Sequence, residues 1–424
     1  MRLIFLPGLL VLCLCVHSQT LPSISEKEVS RIENILAADD MQGRQVFTPG
    51  IDKAADYIRK EFKDAGLIPL PGSKDGFDQS FTMINPESIE VSAVIDGSSI
   101  GSKNILVFST ASSLTVTQAD RYQKVFINKG SDFRSVVFKY LESDQNVLIL
   151  VDTSFTKNFT RLARYHMHQF EGSGNRILIL TSSDPQQYKI QVSQKTKKQR
   201  LTNLVGIIPG KSKPEEYVIF SAHYDHLGIG KPDPKGDSIY NGANDDASGT
   251  TAVITLAEYF SKIQNNERTL IFAAFTAEEI GEFGSAYFSK MVDPDKVIAM
   301  FNIEMIGTES KWGKNSAYIT GFDKSDMGII LQKNLSTSQF KFYPDPYPEQ
   351  GLFLRSDNAT LAKKGVPAHT ISTSKMDSEK YYHTQADEVE TLDLINMTEI
   401  IRAIGLSAGS IIAGQDTPRR VITE

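Results

Sequence analysis

At 424 residues the chain has room for one large domain with an insertion, or for two to three ordinary domains. Apolar residues make up 40% and charged residues 23%, the balance of a soluble globular protein with a sizeable core. A formal net charge of -6 argues against a nucleic-acid partner, which would call for a basic excess.

In chain order, Arg2 is followed by an apolar run from Leu3 to Val16 and then by His17-Ser18, the pattern of an export signal. The run is short for a membrane span. Residues 1–18 are therefore expected to be cleaved, leaving Gln19 first in an exported chain, periplasmic or secreted, with no membrane attachment. Both cysteines, Cys13 and Cys15, lie inside that segment, so the mature chain would have no disulfide and no thiolate metal ligand.

The spacing predicts helices over 26–38 and 50–66, the second stopped by Gly66. Residues 80–200 change character: the short apolar runs Asn104–Phe108, Lys124–Ile127, Val147–Val151 and Arg176–Leu180 alternate with polar turns. The pattern predicts a β-rich insert over 85–200, closed by the exposed basic stretch Lys195–Arg200, with 19–84 and 201–424 forming the main domain. His166 and His168 read as an exposed helix face rather than a metal site. From Leu201 onward apolar strands (Leu204–Ile208, Tyr217–Ser221, Thr269–Phe275, Val297–Ile303, Val366–Ile371) alternate with helices (Ser248–Ile263, Leu392–Ala413). That alternation predicts an α/β domain with a largely buried sheet. No Gly-x-Gly-x-x-Gly or phosphate loop follows a strand, so nucleotide chemistry has no support.

Five polar clusters follow these strands, where α/β proteins place their sites. His223 closes one strand, and Asp225 stands two residues on. In extended chain the two side chains share a face, so the carboxylate could accept the second imidazole N–H and fix the tautomer. Asp245 and Asp246 sit in a small-residue turn; one can cap the next helix, but capping does not occupy both. Glu278 and Glu279 follow a third strand, and adjacent glutamates point apart, so one can bind metal while the other moves protons. As a bare pair they would ordinarily be surface acids. Glu304 ends a fourth apolar run, where an unpaired acid is costly to bury. His383, between Tyr382 and Thr384, reads equally well as ligand or as structural histidine.

Together, in order and wording, these clusters resemble the co-catalytic dizinc aminopeptidases, family 28 of the metallopeptidases. The resemblance runs from Leu204 to the C-terminus and extends to Asp40-Met-Gln-Gly-Arg44. Relatives also carry β-rich insertions of the protease-associated type where residues 80–200 sit. The resemblance implies a three-layer α/β/α sandwich around a mixed, largely parallel sheet. It implies two zinc ions: His223 and Glu304 on one, Glu279 and His383 on the other, Asp245 bridging, and Glu278 as general base. Arg355 would contact the peptide and Tyr382 would donate to the developing oxyanion. Arg355 could instead pair with Asp357. Three carboxylates and two neutral imidazoles nearly offset two dications, and N/O ligation suits zinc. Relatives more often have aspartate at Glu304 and histidine at Asn358, while His226 and His369 resemble positions outside the ligand set. The implied activity is removal of residues from peptides with a free N-terminus. Carboxypeptidases share the ligands, glutaminyl cyclases share the scaffold with one zinc, and transferrin-receptor ectodomains share the fold without catalysis. Retention of the ligands and of Glu278 favours the hydrolase.

Overall fold

A computed structural model describes residues 23–141, 143–163 and 168–422, and the expected export signal lies outside them. Two amphipathic helices open the fold, α1 (Glu26–Leu36) and α2 (Pro49–Asp64). Ser25 caps α1 by accepting from the Glu28 N–H, and Pro49 starts α2. The next strand, β1 (Asp78–Ile95), leads into the insert, which holds β2 (Ile105–Phe108), β3 (Gln123–Ile127), α3 (Phe133–Leu141), β4 (Val147–Val151), α4 (Thr156–Leu162) and β5 (Arg176–Leu180). The chain returns through β6 (Tyr188–Ile208).

Beyond it lie β7 (Lys213–His223), α5 (Ser248–Ile263), β8 (Arg268–Phe275), α6 (Phe283–Met291), β9 (Val297–Ile303), β10 (Ser316–Ile319), β11 (Lys341–Pro344), β12 (Ala368–Ser372) and α7 (Leu394–Ser407). The main sheet runs β11-β10-β12-β9-β7-β8-β6-β1. Its centre, β12-β9-β7-β8, is parallel, and β6, β1 and the β10–β12 contact are antiparallel. The mixed, largely parallel sheet is the one expected.

Strand alternation produces the layers. On β8, Leu270, Phe272 and Ala274 face a core shared with α1, α2, α5 and α7, whereas Ile271, Ala273 and Phe275 face Phe288 of α6. Because both faces are covered, β8 is buried throughout, and its sequence reads as an apolar run rather than an alternation. Phe220 anchors the first layer, with ring centroids 4.9 Å from Phe301 and 5.5 Å from Phe272. Leu394–Ile412 is long and apolar enough to cross a membrane by length and composition, but most of it is buried in this core.

The insert joins strands to two short helices. It has its own sheet, β2-β5-β4-β3, with α3 and α4 on one face and the β1–β6 ribbon on the other. Strands make up most of its regular structure, and α3 and α4 add a helical layer. Phe133, Val137 and Leu141 repeat at helical spacing over too few turns to stand out in the sequence. The boundaries expected at 84/85 and 200/201 fall inside β1 and β6, which pair continuously from Asp78↔Leu204 to Ile95↔Tyr188 apart from one bulge. Lys195–Arg200 is thus a paired strand whose lysines and arginine are exposed. His168 is not on a helix: its ring packs 5.4 Å from that of Phe47 and 6.4 Å from that of Phe283. His166 lies outside the described residues.

Below the strand ends, Glu33 of α1 is fully buried and accepts a 2.7 Å hydrogen bond from the Thr251 hydroxyl. Burial pushes its carboxyl up to about 8, against the opposing pull of Thr251 and Arg44. The folded protein therefore keeps a proton that the unfolded chain releases near pH 4.5, so this group's contribution to stability is present at acid pH and is lost as pH rises towards 8. Glu33→Gln should remove that loss. Melting temperatures of both proteins from pH 5 to 9 should show the variant gaining on the native protein as pH rises; parallel curves would contradict the buried, proton-holding carboxyl.

Candidate metal centre

Three of the clusters are delivered by the parallel strands. His223 is the last residue of β7 and sits opposite Phe275 of β8, three residues before Glu278. Ser221 pairs with Asn302 on β9, two residues before Glu304. The carboxyl ends of adjacent parallel strands thus bring these groups to one rim of the sheet. The Asp245–Asp246 turn enters between β7 and α5 and is pinned from several sides. Asp387 accepts from the Asn244 N–H at 2.8 Å and the Asp245 N–H at 3.0 Å. Asp246 accepts from the N–H groups of Gly249, Met305 and His223 at 3.0, 3.1 and 3.3 Å, tying α5, β9 and β7 together. It is a buried cross-link, which leaves Asp245 free to face the site.

Asp245 presents its two oxygens to two different histidines. Oδ1 lies 3.2 Å from His223 Nε2, and Oδ2 lies 3.2 Å from His383 Nε2. His383 Nε2 is also 3.1 Å from Glu279 Oε2. His223, Asp245 and Glu304 converge closely enough to hold one ion, and His226, Asp245 and Glu279 form a second such group. His223 Nε2, His383 Nε2 and Glu304 Oε2 are buried without a hydrogen-bond partner. Such orphans are costly unless a cation completes them. Burial, joined by Asp245, pushes Glu304 up to about 7, and burial with Glu304 and Asp357 nearby pushes Glu278 well above the usual carboxylate range. Crowded carboxyls of this kind fit a site built for divalent metal.

Asp225 departs from its expected role. The strand ends at His223, and it is the backbone of Asp225 rather than its carboxylate that reaches the imidazole. His223 Nδ1 lies 3.1 Å from the Asp225 carbonyl oxygen, whereas the carboxylate is 3.9 Å away. The carbonyl still fixes the tautomer that leaves Nε2 free. The carboxylate instead accepts from the backbone N–H groups of Glu278 and Glu279 at 3.1 and 3.3 Å, setting the loop that carries both glutamates.

Tyr382 stacks on the His383 ring with centroids 3.9 Å apart and lines a cavity with Glu304, Met305, Tyr318, Leu352, Arg355 and Met376. Arg355 is exposed and reaches the Gln350 carbonyl at 3.5 Å, while Asp357 is fully buried, so the two do not pair. Two further contributors lie outside the expected ligand set. Arg44 is fully buried, and its guanidinium donates to the carbonyls of Leu36, Tyr224, Asn241 and Gly242, clamping the His223 and Asp245 loops. His226 places Nδ1 2.7 Å from Glu279 Oε1. The signals available for them were a buried-type histidine one residue past His-x-Asp and the Gly-Arg pair before α2.

A mixed sheet between helix layers, with carboxylates and histidines at the ends of its parallel strands, defines a three-layer α/β protein with a candidate metal centre at the sheet's rim. Residues 203–407 match the family model described as peptidase family M28. The resemblance to that family is thereby shown, and the matched segment contains every candidate ligand. A probable zinc metalloprotease of Leptosphaeria maculans is 32% identical over 113 residues, 26% of this chain and 26% of that protein. An aminopeptidase of Bacillus subtilis is 24% identical over 196 residues, 44% of this chain and 40% of that protein. In these matches the chain spans between a quarter and two fifths of the curated relatives' length. A solved zinc aminopeptidase from Bacillus subtilis superposes with a TM-score of 0.57 over 96% of this chain and 100% of the other, at 15% identity, a likeness of fold.

Proposed function

We propose that the chain is an exported, zinc-dependent aminopeptidase that removes residues from the free N-terminus of peptides. The observation that carries this reading is Asp245, whose two oxygens each face a different histidine, the arrangement of a carboxylate shared by two ions. His223 and Glu304 would hold one zinc and Glu279 and His383 the other. Zinc held there would supply Lewis-acid stabilisation of developing negative charge and lower the pKa of water. Glu278 takes a proton from the attacking water and returns it to the leaving amine. The Tyr382 hydroxyl donates to the oxygen that gains charge, and Arg355 meets the peptide at the mouth. Export rests on the signal-like pattern of residues 1–18.

Aminoacyl and N-acetylated peptides assayed with added zinc test this reading. Free N-termini should be cleaved, and acetylation should reduce cleavage to background; equal cleavage of both would rule out an aminopeptidase.

A further inference from the structure

We propose that His226 is a positioning residue that holds Glu279 as a one-oxygen ligand: its Nδ1–H donates to Glu279 Oε1, leaving Oε2 turned towards His383. The inference rests on the two-zinc reading and assigns a group which that reading leaves unused. Distance separates the two jobs a histidine can do here. Two donors on one tetrahedral zinc, each roughly 2.0–2.2 Å from it, stand roughly 3.3–3.6 Å apart. The pairs His223–Asp245, His383–Asp245 and His383–Glu279 approach that spacing at 3.2, 3.2 and 3.1 Å. His226 Nδ1 and Glu279 Oε1 are 2.7 Å apart, the length of a strong hydrogen bond to a carboxylate. His226 Nδ1 is also 3.9 Å from Asp245 Oδ2, outside the spacing of shared ligands.

The seat of His226 is built for this one orientation. Its backbone N–H donates to the Arg44 carbonyl at 3.3 Å, and its ring is fully buried, edge-on to His383 at 5.7 Å. The ring lies on Gly242, where a Cβ would stand 2.5 Å from His226 Cδ2. Gly242 has φ +57°, and its carbonyl is held by Arg44 at 2.9 Å. The ring therefore cannot turn without moving the clamp that also sets the Asp245 loop. With the proton on Nδ1, the buried Nε2 is an acceptor rather than an orphaned donor. Without His226, Oε1 would lose the one hydrogen-bond donor that the described residues give it, and with it the contact that turns Oε2 towards His383.

Metal-free native protein, H226N and H226L are titrated with zinc against a competing chromophoric chelator, and the cobalt-loaded proteins are compared by visible absorption. Asparagine can place its side-chain N–H near the position of Nδ1, whereas leucine fills the space without a donor. The native protein should take up two ions. H226L should still take up two, one of them about 10–100-fold more weakly, the effect of losing a partner that orients a ligand. H226N should recover most of that affinity and the native cobalt spectrum. Loss of one ion in both variants would make His226 a ligand and overturn the proposal, as would native affinity in H226L. Should H226L not fold, H226N decides: near-native affinity at both sites supports positioning, and loss of one ion overturns it. Fewer than two ions in the native protein would instead defeat the two-zinc reading itself.

Discussion

Glu278→Gln should take up zinc as the native protein does and turn over about two to four orders of magnitude more slowly, the usual contribution of a positioned general base. The amide preserves size but cannot accept a proton. Glu278 belongs to neither group able to hold an ion, whereas its neighbour Glu279 does. Their backbone N–H groups are fixed by the same carboxylate, Asp225, so each substitution leaves the loop anchored and alters only one side chain. Glu279→Gln should weaken one ion, because an amide oxygen is a poorer ligand for a dication than a carboxylate. Excess zinc should recover part of the activity of Glu279→Gln and none of that of Glu278→Gln. Rates and metal content of both variants, with and without added zinc, provide the check. Rescue of Glu278→Gln alone would exchange the two roles, and indifference to both changes would make the pair surface acids.

What was legible in the sequence was local. A buried parallel strand reads as an apolar run, and the polar residues just past it mark the sheet's rim, so β7, β8 and β9 and their attached His223, Glu278, Glu279 and Glu304 could be placed from short windows. What was hidden depends on partners distant in the chain. His226 meets Glu279 53 residues later, and Arg44 meets the Gly242 carbonyl 198 residues away. The contact expected of the Asp225 carboxylate is made by its carbonyl instead, because the carboxylate is taken up by backbone N–H groups 53 and 54 residues further along the chain. The insert's expected boundaries fall inside paired strands. Composition changes near 85 and 200, but the backbone ladder of β1 and β6 runs through both points without regard to side-chain character.

Removing metal should cost both activity and stability. The site gathers Asp245, Glu279, Glu304 and Glu278 around His223 and His383, so carboxylates outnumber the available cations. Beneath them, burial pushes Asp225 up to about 7 and Asp357 up to about 6, which adds to the crowding of acids. No lysine or arginine is ion-paired with Asp245, Glu279 or Glu304 among the described residues, and the buried Arg44 donates to carbonyls instead. Divalent metal is therefore the counter-charge that fits. Ions that bind the folded state stabilise it by about 2.7 kcal/mol per site at 100 times the dissociation constant. Dialysis against a strong zinc chelator should abolish hydrolysis and lower the melting temperature, and zinc or cobalt should restore both together. Recovery of melting temperature without activity would mean that metal only braces the fold. Full activity in metal-free protein would defeat the two-metal assignment, and with it the roles given to His223, Asp245, Glu279, Glu304 and His383.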